Sequence, residues 1–456
     1  MTSQADLPYL SPCLVSQQDV LPYFCRLEND LDFGGPLHGR EGPIPVRRIK
    51  PEQWAPFNKA FGEVLLERGY PLVEDLNADF AEGLGSLPLA NLPDRRVSAS
   101  MGYLDQTVRQ RSNLVVLANA HVERIDTAGR KAIGVTARAV DERRSFKARE
   151  TIISGGAIFS PAVLMRSGIG PGQHLQDQGV EVVRDIAGVG QHLMNHPALR
   201  AAAIHLPRRS RQDPVYLSPL QTCLRFSSGL EGCAENDMML NLTNKSSWHP
   251  LGLSIGGVSI SVYKPYSSGQ VRLRSADPAI EPEVKFNFLS DPRDFERMVM
   301  GLKLCFEVLS DKRVAGVGNE VFLPTSRLAE SLARRNAWNW LRASAISSIF
   351  DAFPPIRRIA LGKTRLDPEV LANDHAVLRQ MVRQGQGPTH HVCGTCRMGK
   401  PEDARVVVDP SCRVLGMQGL RVVDASIMPS IVRANTHLPV LMIAEKMASA
   451  IRMCKG

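Results

Sequence analysis

The chain has 456 residues, 43% hydrophobic and 22% charged, an ordinary globular composition with enough apolar material for two cores. Its formal charge is +9, but the basic residues read as scattered, with no aromatic-interleaved basic stripe. That argues against a nucleic-acid binder and for a solvated surface suited to an anionic cofactor or acceptor. No apolar run is long enough to span a membrane.

The start, Met1-Thr2-Ser3-Gln4-Ala5-Asp6, lacks the charged and apolar regions of a secretory leader. The nine cysteines are an odd count without a regular framework, which predicts reduced thiols and a cytoplasmic protein.

Residues 20–28 form an amphipathic piece, 32–39 a loop and 44–48 a strand. Residues 54–68 predict a helix with Phe57, Phe61, Val64 and Leu65 on one face. Residues 114–117 read as an apolar strand and 120–125 as the next, with 131–137 and 149–154 continuing a sheet. Ser160 is expected to cap a helix with Pro161 behind it, ended by Gly168. His174 reads as structural. His192 and His196 stand four apart on a Pro-ended loop without a third ligand, so no metal is assigned to them.

From about residue 200 the pattern changes. Residues 258–263 and 270–274 alternate as half-buried antiparallel strands, joined as a hairpin by 265–269, and 282–288 reads as a third strand. Phe295, Met298, Leu302, Cys305, Phe306 and Leu309 make a helical stripe that should pack on this sheet.

Near the C-terminus, Cys393 and Cys396 form a CxxC. No second pair completes a zinc site and no thioredoxin-like strand precedes it, so neither metal nor thiol redox chemistry is assigned. Two histidines, His391 and His437, sit on loops rich in Gly, Thr and Pro. Between them residues 420–423 form a short buried strand, and Asp424-Ala425-Ser426 turns at its carboxyl end, where open α/β sheets bind ligands. Asp424 either contacts the sugar or pyrophosphate of a dinucleotide or simply makes the turn. Pro439 suits the first position of a helix whose residues 440–444 are apolar all round and should be buried. The start of such a helix attracts an anion.

Three segments, His391-Val392-Cys393-Gly394-Thr395-Cys396-Arg397-Met398-Gly399, Arg421-Val422-Val423-Asp424-Ala425-Ser426 and Asn435-Thr436-His437-Leu438-Pro439, resemble the C-terminal signature of the glucose–methanol–choline (GMC) flavoprotein oxidoreductases. Residues 156–171 resemble that family's second signature. The resemblance implies FAD as cofactor and oxidation of the CH–OH group of an alcohol, with hydride passing to flavin N5. It puts the catalytic base at His391 and its partner at His437, where many members carry Asn. It also implies flavin contacts at Val122, through its backbone, and at Asp424, Ala425 and Leu438. Imidazole suits the base because its pKa lies near neutrality, while the flavin carries the hard chemistry.

The fingerprint Gly-x-Gly-x-x-Gly is absent from the chain. The expected fold is therefore α/β plus α+β: an incomplete FAD-binding α/β domain, lacking the family's N-terminal dinucleotide-binding unit, and a second domain of antiparallel sheet backed by helices. The expected boundaries are 1–30, a remnant of the N-terminal FAD region, and 31–100, a substrate-domain strand with linking helices. An FAD-binding segment at 101–199, a substrate domain at 200–384 and the C-terminal FAD-binding segment at 385–456 follow. A non-catalytic fragment that does not retain FAD, or a flavin-containing lyase, are the alternative readings. The particular alcohol, the electron acceptor and the oligomeric state are unassigned.

Overall fold

The computed structural model describes residues 17–453 except 79, 141, 217, 324 and 325. Alternating and apolar runs in the middle of the chain build one large sheet. Its strands run in the order Val321–Phe322, Pro197–His205, Ile255–Val262, Met238–Thr243, Leu220–Phe226, Gly83–Ser86 and Leu72–Val73, and Gln386–Pro388 also pairs with Pro197–His205. All neighbours are antiparallel except Leu72–Val73 with Gly83–Ser86.

The stripe read from the sequence lies on the helix Pro292–Leu309, which packs against this sheet. Met298, Leu302, Cys305, Phe306 and Leu309 are buried there with Ile260, Val258 and Leu240. The helix comes closest at Gly301, where any Cβ would collide with Ile260. The helix Pro56–Glu67 adds Phe57, Phe61 and Leu65 to the same core.

A second core joins residues far apart in sequence. Ala120–Ala128, Lys131–Ala139 and Glu142–Lys147 form an antiparallel sheet. Thr151–Ile153 pairs in parallel with Leu420–Val422, Ile152 opposite Arg421. The helix Gly156–Arg166 and the loops after residue 391 close this core around Leu164, Met165, Leu175, Cys396 and Val407. The helix Gln17–Leu27 lies along the C-terminal helix His437–Met453, with Val20, Phe24 and Leu27 against Met442. Behind it a buried charge cluster pins the loop between Glu28–Asp30 and Ile44–Val46. Arg48 donates to both carboxylate oxygens of Asp30 (2.9 and 3.0 Å) and to Asp75 (2.8 Å).

Five expectations fail here for physical reasons. Residues 114–117 form no strand; among the described residues no neighbour ladders with them, and Val115, Val116 and Leu117 stand exposed. Ser160 does not cap a helix, because the helix already starts at Gly156 and Ser160 lies inside it, bonded to Asp424. Residues 258–274 are not a hairpin. Ile255–Val262 belongs to the large sheet, whereas Gly269–Arg272 pairs with Gln191–Leu193 and Glu283–Lys285. The Asp294 carboxylate accepts Tyr266 N (3.0 Å) and Ser267 N (2.7 Å), which turns the chain out of the sheet. The last helix begins at His437, so Pro439 is its third residue, still in the first turn where a missing N–H costs nothing. Residues 440–444 are only partly covered, with Met442 buried and Ala444 exposed.

Asp294 also takes part in a fully buried ion triad. Arg297 donates to Asp237 at 2.7 Å and to Asp294, and all three side chains have no exposed surface. Removing the guanidinium would leave two carboxylates uncompensated in the core. Arg297→Ala should destabilise by about 3–5 kcal/mol, read as a lower denaturation midpoint; a change below about 1 kcal/mol would contradict this role.

Candidate active site

The loop carrying His391 is shaped from both sides. His390 adopts a left-handed backbone (φ +65°), and the His391 N–H then donates to Asn195 Oδ1 at 2.9 Å. The Thr389 hydroxyl lies 3.1 Å from the same oxygen and 3.0 Å from the His196 carbonyl. Further on, Thr395 Oγ1 donates to the Ala157 carbonyl at 2.6 Å. That carbonyl is free because Pro161, four residues later, has no N–H to give it. A proline inside the helix Gly156–Arg166 thus leaves the acceptor that anchors the loop carrying His391.

The His391 ring meets a second imidazole. Its Nδ1 lies 2.9 Å from Nδ1 of His196, and the rings stand edge to face at 80°. His196 is fully buried, and its Nε2 lies 2.9 Å from the Val432 carbonyl. Burial pushes His196 well below the usual 6.5, and the neighbouring His391 pushes it further. Burial, and then His390, lowers His391 to about 4. Both rings are therefore neutral at pH 7.

The tautomers follow. A carbonyl only accepts, so the one proton of His196 sits on Nε2. His196 Nδ1 must then accept, and His391 supplies the proton from its own Nδ1. The lone pair of His391 is left on Nε2, free to act as a base.

Tyr263 stacks flat on His196 at 4.2 Å between centroids, and its hydroxyl donates to Asn435 Oδ1 at 2.8 Å. Asn435 stands two residues before His437. Ring contacts join His391 to His196 and Tyr263, but not to His437. His437 instead opens, with Leu438 and Pro439, on a cavity of about 520 Å³ that Arg96, Asn77 and Asn435 also line. Partial burial and then Arg96 lower the pKa of His437.

Asp424 is buried at the carboxyl end of Leu420–Val422. Gly156 N (2.9 Å), Ser160 Oγ, Ser426 N (2.7 Å) and Ser426 Oγ all donate to its carboxylate. The side chain thus ties the helix Gly156–Arg166 to the C-terminal turn. Ala425 follows in that turn, and Val122 sits half-buried near the start of Ala120–Ala128. The thiol of Cys393 is pushed by burial up to about 12, and that of Cys396 is raised as well. Both are buried and unpaired, packing groups rather than reactive ones.

His196, Asn195, Thr389 and Tyr263 were not picked out as site residues from the sequence. Asn195 and His196 stand just before a long apolar strand at Pro197, and that placement of two polar groups was the available signal.

A neutral imidazole with a free lone pair, and a helix start opening on a cavity of about 520 Å³, are what a cofactor-using enzyme can employ. Two GMC oxidoreductase family models match the chain, an N-terminal one over residues 11–198 and a C-terminal one over 265–444. The chain belongs to the GMC oxidoreductase family. It is 36% identical over 441 residues to 5-(hydroxymethyl)furfural oxidase of Methylovorus sp. (strain MP688), covering 95% of this chain and 75% of that one. It is 30% identical to the mitochondrial choline dehydrogenase of Homo sapiens, covering 95% and 69%. Its fold is similar to that of pyridoxine 4-oxidase from Mesorbium loti, with a TM-score of 0.79 at 24% identity over 99% of this chain and 81% of that one.

The protein is thus an oxidoreductase, and its cofactor is FAD. The expectation that the N-terminal unit is lacking and the FAD domain incomplete finds no support: the N-terminal family model matches from residue 11, and the fold likeness covers nearly the whole chain. The residues present suit the group. The start of a 17-residue helix faces the cavity, ready for the anionic end of a reduced flavin.

Buried neutral histidines make the fold acid-sensitive. His391 and His205 lie near 4 when folded against the usual 6.5, so the unfolded chain binds more protons as pH falls below about 6.5. Stability should drop from about pH 6.5 towards 4, each such histidine adding about 1.4 kcal/mol per pH unit within that window. Denaturation midpoints of the parent and of His391→Gln check this: the variant should lose less across the window, and equal losses would contradict a neutral, buried His391.

Proposed function

We propose that the chain oxidises the CH–OH group of a small alcohol, with His391 Nε2 taking the hydroxyl proton. The observation that carries this reading is the bond from His196 Nε2 to the Val432 carbonyl, which leaves the His391 lone pair on Nε2. Bound FAD supplies the hydride acceptor, flavin N5. His391, neutral down to about pH 4, is ready to accept a proton at physiological pH. His437 is the second imidazole, at the helix start that opens on the 520 Å³ cavity, where it holds the substrate oxygen in line. Tyr263 couples the two loops by stacking on His196 and bonding Asn435.

The backbone around Asp424 and Ala425, together with Leu438 and the edge strand at Val122, forms the flavin side. On this reading residues 101–199 and 385–456 hold the cofactor, and 200–384 shape the alcohol pocket. A relative at 36% identity is named as an oxidase of 5-(hydroxymethyl)furfural and another at 29% as a choline dehydrogenase, which supports an alcohol substrate. Unpaired cysteines favour a reducing compartment, the cytoplasm.

In the flavin-loaded chain, His391→Ala should lower turnover by about 10²–10⁴-fold with the flavin spectrum retained; near-parent turnover would reject the role. His196→Ala removes the nearer acceptor for the His391 Nδ1 proton, leaving only Thr389 Oγ1 at 3.1 Å. It should lower kcat more than it raises KM and displace the acidic limb of the pH–rate profile, whereas a purely structural role would leave that limb in place.

A further inference from the structure

The helix Ala337–Ala352 carries apolar residues on the wrong side. Trp338, Leu341, Ala345, Ile349 and Ala352 recur at helical spacing and all face solvent, Trp338 with 68% of its surface exposed. Phe353 and the next helix, Pro354–Leu361, extend the line with Ile356 and Ile359, the last 80% exposed. A helix apolar on both faces normally has both covered; here the inner face packs through Ala343 against Leu251 and Leu332, and the outer one is bare.

The same stretch is cationic. Although the basic residues read as scattered over the whole chain, residues 334–365 hold seven, six of them exposed: Arg334, Arg335, Arg342, Arg358, Lys363 and Arg365. The one acid in that stretch, Asp351, is held by Arg208 and Arg211. Cations therefore flank both ends of a line of exposed aromatic and aliphatic side chains.

From this geometry we propose that residues 334–365 dock in the plane of an anionic lipid bilayer, apolar stripe into the headgroup boundary and cations against lipid phosphates. Tryptophan and aliphatic side chains suit that boundary, and the flanking charges match it. A second copy of the chain fits less well, because a two-fold contact would set six cations against six. No described helix is long and apolar enough to cross a membrane, so the attachment is one of surface contact.

The test is co-sedimentation of the FAD-loaded chain with vesicles of phosphatidylcholine alone or mixed with phosphatidylglycerol. The bound fraction should rise steeply with the anionic lipid and vanish in about 1 M salt, where the screening length shrinks to about 3 Å. Trp338→Ser with Ile359→Ser, and separately Arg334→Glu with Lys363→Glu, should each cut binding at least about tenfold while turnover of a soluble alcohol stays at the parent level. Three results would overturn the proposal: no binding to anionic vesicles, equal binding to neutral ones, or a dimer in light scattering that the same apolar substitutions dissolve.

Discussion

A single hydrogen bond from a buried imidazole to a main-chain carbonyl fixes the tautomers of this histidine pair. The Val432 carbonyl cannot donate, so His196 must, and its other nitrogen becomes an acceptor. His391 is then obliged to hold its proton inward and present a lone pair outward. Around that bond the fold supplies dryness. His196 has no exposed surface, Tyr263 covers one of its faces, and the buried Lys264 nearby adds a further penalty on charging it. The result is an imidazole that stays neutral and keeps an outward lone pair.

The placement of that pair depends on ties between distant segments. The parallel pairing of Thr151–Ile153 with Leu420–Val422 brings the two signature stretches side by side. Asp424 then clamps them through Gly156 and Ser160, and Thr395 reaches the carbonyl left open by Pro161. Asp424 thus works inside the protein, where a carboxylate accepting several N–H and O–H groups is stable as an anion. Its carboxylate is the joint between the helix Gly156–Arg166 and the C-terminal turn.

Much of this was legible beforehand, and the failures share one cause. Periodicity marked the helix Pro292–Leu309 and the strands Ala120–Ala128 and Leu420–Val422, because local spacing determines which face they bury. The loops around His391 and His437 were marked by their Gly, Thr and Pro content. What misled were residues whose partners lie far along the chain. Tyr266 and Ser267 leave their expected hairpin for Asp294, and Ser160 forgoes a cap for Asp424. His196 was weighed with His192 as a metal pair and set aside, and only the folded chain sets it against His391. No spacing rule reports that contact, since 195 residues separate the two rings.

The most direct measurement is nitrogen-15 NMR of the flavin-loaded chain labelled at histidine, at pH 7, with His391 assigned by substitution. The tautomer chain predicts a neutral ring carrying its proton on Nδ1, with Nε2 showing the shift of an unprotonated nitrogen. A proton on Nε2, or an imidazolium at that pH, would contradict the account.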